Sequence, residues 1–232
     1  MGRTRKTVWR WRIVALLLLA ALVAGGYGWW RAIDWQPLRS EYPMQGALIG
    51  ASDGAIDFNA LRATGADFVY LEASQGARGR DPQFARNLAA VTDAQLPFGA
   101  VHAYDPCIPA ERQAANFVTI VPRDATMLPP AISLNTLAST CGDPIVEAAL
   151  ESELTTFINQ VEGHTGQSVV LKISPAFEAE HGIAIRIERN LWLNRDFMQP
   201  DYAGRPWTLW TATSYLHGEA SDGPLRWVVV QQ

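Results

Sequence analysis

Two carboxylates stand out by their surroundings. Glu72 lies in an apolar run, Phe68 to Ala73, whose two-residue period places it on one face with Tyr70 and Ser74. Asp105 follows Tyr104, directly behind a second apolar run from Phe98 to Ala103. Two carboxyl groups at the ends of neighbouring strands could share acid and base work, one giving a proton to a leaving oxygen and the other acting as base, nucleophile or stabiliser. A polar and aromatic set accompanies them: His102 and Tyr104, then Ser133 and Asn135 two residues apart, then Trp192, Asn194, Arg195 and Trp210. Amide, hydroxyl and indole groups of this kind can hold a sugar by hydrogen bonds and ring contact. Each also has a structural interpretation. Glu72 could pair with a nearby arginine and Asp105 could merely lead into Pro106, while His102, Trp192 and Trp210 could fill or brace a core.

The elements that must position these residues are short apolar runs alternating with longer mixed stretches from Gly46 onward, the pattern of strand-helix units around a parallel sheet. The strands expected are Ala47 to Ile49, Phe68 to Ala73, Phe98 to Ala103, Ala131 to Asn135, Val169 to Ile173, Leu191 to Leu193, Thr208 to Thr211 and Trp227 to Val230. The expected helices are Phe58 to Thr64, Asp81 to Ala94 with Asp-Pro at its start, Pro109 to Ile120 and Pro144 to Gly163. Asp57 and Asp81 fit turn and capping roles, and Gln113 fits a helix surface or a buried hydrogen-bonding post.

The N-terminus is of a different kind. Arg3, Arg5, Lys6, Arg10 and Arg12 precede an uncharged apolar run from Ile13 to Trp30, which as a helix spans about 27 Å, close to the hydrocarbon thickness of a bilayer. Trp9 and Trp11 flank one end and Trp29 and Trp30 the other, as interfacial aromatic belts do, and the basic cluster belongs on the cytoplasmic side. The division expected is a basic cytoplasmic tail at 1–12, a membrane-spanning signal anchor at 13–30, a proline-punctuated polar linker at 31–45 and one domain at 46–232, periplasmic or extracellular. A cleavable secretory signal is the alternative, because Val23, Ala24, Gly25 and Gly26 supply small residues for processing; the length of the apolar run favours the anchor.

Without the five basic tail residues, 14 Lys and Arg face 23 Asp and Glu, a net of −9. Such a domain does not seek nucleic acid. Cys107 and Cys141 lack CxxC or His-rich spacing, so neither a metal nor a cofactor is expected; in an exported domain an even pair favours a disulfide over two inert thiols.

Several stretches carry a family resemblance: Gly54-Ala55-Ile56-Asp57-Phe58, Asp67 through Gly76, Gly99-Ala100-Val101-His102-Ala103-Tyr104, and Gln113-Ala114-Ala115-Asn116-Phe117. They resemble the family-25 glycoside hydrolases, a lysozyme family. The resemblance implies a TIM-like α/β barrel of five strand-helix units followed by three strands with little helix, and a site at the C-terminal ends of the strands. It also sets Cys107 and Cys141 in loops after neighbouring strands at that same end, where a bond would staple the rim.

Residue by residue, the resemblance takes an unexpected turn. Where the family's first strand has Gly-Ile-Asp, this chain has Gly46-Ala47-Leu48, so Leu48 holds the place of an acid. The family's Asp-x-Glu after a proline-rich lead-in matches Ser133-Leu134-Asn135 after Leu128-Pro129-Pro130. The Thr-Glu-Gly after the second strand becomes Ser74-Gln75-Gly76, the preceding Lys becomes Glu72, Trp-Gln-Tyr becomes Trp210-Thr211-Ala212, and a late Asp falls near Arg226. The expectation is a degenerate, membrane-anchored envelope module that binds peptidoglycan or another glycan through His102, Tyr104, Asn135, Trp192 and Trp210, or acts as a scaffold. The alternative is an active peptidoglycan hydrolase whose acids have moved to Glu72 and Asp105. No motif specifies a protein partner.

Overall fold

Nine strands form one closed sheet in the computed structural model, which describes the backbone of residues 3–231 and the side chains of 8–31 and 33–231. In chain order they are β1 (Gln45–Ile49), β2 (Phe68–Gln75), β3 (Gly79–Arg80), β4 (Phe98–Ala103), β5 (Ala131–Leu134), β6 (Val170–Ile173), β7 (Asn190–Asn194), β8 (Leu209–Leu216) and β9 (Leu225–Val230). β1 pairs in parallel with β2 and antiparallel with β9, which closes the ring; β3 is a short hairpin partner of β2 outside it. The barrel is therefore mixed. β1, β2 and β4 through β8 run parallel around the ring, but β9 returns antiparallel between β8 and β1. The short connection from β8 to β9 leaves room only for a hairpin, whereas a parallel return needs a long crossover.

Alternation along each strand sorts the side chains into two cores. Leu48, Phe68, Tyr70, Val101, Ala131, Val170, Trp192, Leu209 and Val228 fill the lumen. Their neighbours Ala47, Ile49, Val69, Leu71, Ile132, Leu171, Leu193, Trp210 and Trp227 point outward beneath the helices and the N-terminal linker. Gly99 makes the lumen packing possible, since a β-carbon there would stand 2.5 Å from the Tyr70 ring.

The helices are α1 (Arg3–Ile33), α2 (Phe58–Ala63), α3 (Phe84–Asp93), α4 (Ala110–Ile120), α5 (Glu147–Thr165), α6 (Pro175–His181) and α7 (Ile183–Arg186). Asp57 caps α2, its Oδ1 accepting from the Asn59 and Ala60 amides at 2.9 and 3.0 Å. Asp81 does not begin α3, contrary to the sequence expectation. Its Oδ1 closes a turn onto the Gln83 amide at 2.8 Å and its Oδ2 accepts the Ala51 amide at 2.7 Å, tying the loop after β1 to that after β3.

α1 carries a 24-residue stretch, Val8–Arg31, of mean hydropathy 1.9 with none of it buried in the protein. The segment after it is no loose tether. Pro37 and Tyr42 are buried, and Gln45 Nε2 donates to the carbonyls of Pro37 and Tyr42 at 2.9 and 3.0 Å while its Oε1 accepts from Trp227 Nε1 at 2.7 Å. The linker thus lies along the outer face of β8, where a helix-poor part of the barrel would otherwise expose Trp210.

Candidate functional site

A cavity of about 420 Å³ lies at the C-terminal ends of β2, β4 and β5, lined among others by Glu72, Ser74, Arg80, Asp81, Ser133 and Asn135. Ser133 lies on β5 and Asn135 just beyond it, and the Asn135 amide donates to the Ser133 hydroxyl at 3.1 Å. Beneath them the lumen is closed. Leu48 is 1% exposed and sits between its register partners Tyr70 on β2 and Arg226 on β9. The Trp192 indole N–H donates to Thr211 Oγ1 at 2.8 Å and its ring lies 5.7 Å from Lys172 Nζ.

Charge at the mouth is organised by Arg226. One guanidinium nitrogen binds Glu72 Oε1, and the other donates to Asp53 Oδ2 at 2.8 Å. Asp53 Oδ2 also accepts the Gly50 amide at 2.7 Å, so this carboxylate is bound by both a cation and the backbone. Burial alone would lower the Arg226 pKa, but the attraction of Glu72 and Asp53 outweighs it and raises it. Lys172, the register partner of Ser133 and Trp192, is driven the other way, to about 8: burial is the main cause, Arg226 adds to it, and Glu72 opposes it. Sequence reasoning passed over Asp53 and Lys172. A lone lysine inside the apolar run Val169 to Ile173 was the one signal available for the latter.

The expected ligand-binding residues do not gather at this cavity. His102 is fully buried on the outer side of β4, packed between Phe117 of α4 and Phe157 of α5. Its Nε2 meets Gln113 Oε1 at 3.3 Å, which fixes the proton on Nε2 and leaves Nδ1 to accept from the Ser74 hydroxyl at 2.8 Å. A bulge in β2 between Glu72 and Ser74 allows this by turning Ser74 toward His102, so Ser74 does not keep the face of Tyr70 and Glu72. Burial holds the His102 pKa down near 4, partly offset by the Gln113 hydrogen bond. Gln113 is the buried post, binding Asp105 N, Asp105 O and Ile108 O at 2.8–2.9 Å. Tyr104 is 1% exposed against Phe157, and its hydroxyl has no partner among the described residues.

Trp192 is buried in the lumen and Trp210 outside the barrel, where its N–H donates to the Arg195 carbonyl at 2.8 Å. Neither ring offers a free face. Of the five residues expected to hold a ligand, Asn135 alone lines the cavity with an exposed side chain. Glu72 and Asp105 do not converge either. Glu72 lines the mouth, whereas Asp105 lines a separate depression with Arg78 and Arg112 and spends Oδ1 on the Cys107 amide at 2.9 Å. Cys107 and Cys141 are disulfide-bonded with Cα atoms 5.3 Å apart, joining the segments that follow β4 and β5.

A closed α/β barrel with a polar mouth at the strand C-termini is a scaffold on which glycosidases are built. Residues 49–219 match the family model for glycosyl hydrolases family 25, and the chain belongs to that family. A family 25 glycosyl hydrolase from Bacillus anthracis superposes with a TM-score of 0.76 at 23% identity, over 84% of this chain and 91% of that one. A lysozyme from Streptomyces coelicolor gives 0.69 at 18% identity, covering 81% and 91%. A muramidase from Acremonium alcalophilum gives 0.69 at 18% over 82% and 94%. At these identities the likeness concerns the fold. The chain is also 21% identical over 159 residues to the uncharacterized protein YegX of Escherichia coli K12, a match covering 68% of this chain and 57% of YegX.

Proposed function

We propose that the chain is a cell-envelope member of its family, anchored by its N-terminal helix, whose barrel mouth binds peptidoglycan or a related glycan without cleaving it. Residues 1–12 lie in the cytoplasm, 13–30 cross the membrane and the barrel at 46–232 stands outside. The bound state of the mouth carboxylates carries this proposal. Glu72 and Asp53 share one guanidinium, while Leu48, Ser133 and Asn135 occupy the places where the family resemblance sets acids. Glycoside hydrolysis needs one carboxyl group to protonate the leaving oxygen, and neither hydroxyl nor amide is acidic enough to transfer a proton at neutral pH. Ser133, Asn135 and Arg80 instead offer neutral and cationic groups to a polar ligand. The Cys107–Cys141 bond accords with an oxidising compartment outside the cytoplasm.

Calorimetric titration of the full chain with a soluble muropeptide tests the binding. Saturable heat in the wild type, weakened at least tenfold by Asn135→Leu, is expected; no binding, or binding indifferent to that substitution, contradicts the assignment of the mouth.

The second reading is a hydrolase with relocated acids. One observation favours keeping it: Glu72, with its side chain 38% exposed, and Asp81 line the same cavity. Such an enzyme would lose all cleavage on Glu72→Gln, whereas Asp105→Asn would leave it intact.

A further inference from the structure

An unbroken series of ring contacts leads from the end of α1 into the barrel. Trp29 of α1 meets Tyr215 of β8 at 6.5 Å, Tyr215 stacks on Phe197 at 6.0 Å, Phe197 meets Trp35 edge-on at 5.5 Å, and Trp35 meets Trp210 at 6.5 Å. The backbone joins them too, since the His217 amide donates to the Ile33 carbonyl at 2.9 Å. The outer members of this series stay open to solvent: Trp29 is 64% exposed, Tyr215 42%, Phe197 39% and the adjoining Met198 56%. Leu38, 65% exposed, borders the same region, lining a cavity of about 470 Å³ with Trp35 and Phe197.

Phe197 is held in this position against its own preference. Its φ is +66°, a left-handed conformation that a bulky residue rarely adopts, and its amide is fixed to the Ala212 carbonyl at 2.7 Å. The backbone thus accepts strain to keep an apolar ring at the surface. Scattered apolar side chains need no explanation, but a contiguous apolar patch marks an interaction surface.

What covers the patch is argued from its continuity with α1. The apolar stretch Val8–Arg31 has no cover in the protein, and its last turn brings Trp29 against Tyr215, which in turn stacks on Phe197. Aromatic rings at the end of a membrane-spanning helix sit at headgroup level, so a surface touching them is at that level as well. We infer that Leu38, Phe197, Met198 and Tyr215 form a bilayer-contacting apron, which rests the barrel on the lipid surface beside its own anchor. The inference rests on the anchoring proposed above. Tyr215 lies toward the C-terminal end of β8, the end at which the mouth opens, so the apron holds the mouth near the headgroups and within reach of membrane-proximal glycan.

Fluorescent labels on single added cysteines test this in the full chain reconstituted into lipid nanodiscs, since Cys107 and Cys141 are tied in their disulfide. Three variants are compared, Leu17→Cys in the middle of α1, Met198→Cys in the apron and Val118→Cys on α4 across the barrel, with nitroxide-bearing lipids as quenchers. Strong quenching at position 17 by deep nitroxides, and at least threefold stronger quenching at 198 than at 118 by shallow ones, is expected. Adding Phe197→Asp and Tyr215→Asp should abolish the difference between 198 and 118 while leaving position 17 quenched. Quenching at 17 with none in excess at 198 overturns the apron and leaves the anchor standing. Absence of quenching at 17 removes the anchor and the apron together. Protection of position 198 by a second copy of the chain, seen as label-to-label proximity without lipid quenching, also overturns it.

Discussion

Arg226 on β9 reaches across the intervening strand β1 to bind Glu72 on β2, passing over Leu48, whose register partner it is. With Asp53 on its other nitrogen, this one cation joins three parts of the mouth that lie up to 173 residues apart in sequence. A neutral residue at 226 would leave Glu72 and Asp53 without the guanidinium they share.

Arg226→Ala should therefore destabilise the barrel by about 1–3 kcal/mol, a value below that for a fully buried ion pair because the groups are partly exposed. Urea unfolding monitored by circular dichroism would read it as a lower midpoint with an unchanged slope. An unaltered midpoint would mean that the triad contributes nothing to the mouth.

His102 should titrate far below an ordinary imidazole. Its folded pKa, near 4, lies under the usual 6.5, so the unfolded chain binds the proton more readily between those values. The associated stability is complete above about pH 6.5 and is lost as pH falls toward 4, amounting to about 3 kcal/mol. Histidine NMR of the full chain in nanodiscs would show the His102 imidazole still neutral, with its proton on Nε2, at pH 5. A midpoint for His102 near 6.5 would contradict the buried arrangement with Ser74 and Gln113.

The positions of the barrel strands were legible because each is a short apolar run between polar breaks. Registers were not. Trp192 and Trp210 read alike in sequence, yet parity against their neighbours sends one into the lumen and the other under the linker. A bulge that one extra residue creates in β2 redirects Ser74 to His102, and no local pattern announces it. Asp81 carried a plausible helix-start signal with Pro82, but the Ala51 amide, brought near by the barrel, competed successfully for its carboxylate. The arginine expected as a possible partner of Glu72 proved to be one that only the closure of β9 onto β1 could identify.

Removing the disulfide by Cys107→Ser with Cys141→Ser should cost roughly 3–4 kcal/mol by the chain-entropy relation for a loop of this length. Thermal unfolding should show a lowered midpoint, accompanied by faster proteolysis of the segments after β4 and β5. Equal midpoints for the oxidised and serine forms would deny the bond a part in holding the rim.

The central claim is that the mouth receives glycan without cutting it. The direct measurement is the release of new reducing ends from purified peptidoglycan by the full chain in nanodiscs, with sedimentation of the same mixture reporting binding. The account predicts that the protein sediments with the glycan and that reducing ends stay at the level of empty nanodiscs. Steady release of reducing ends that disappears with Glu72→Gln would contradict it and establish a working hydrolase.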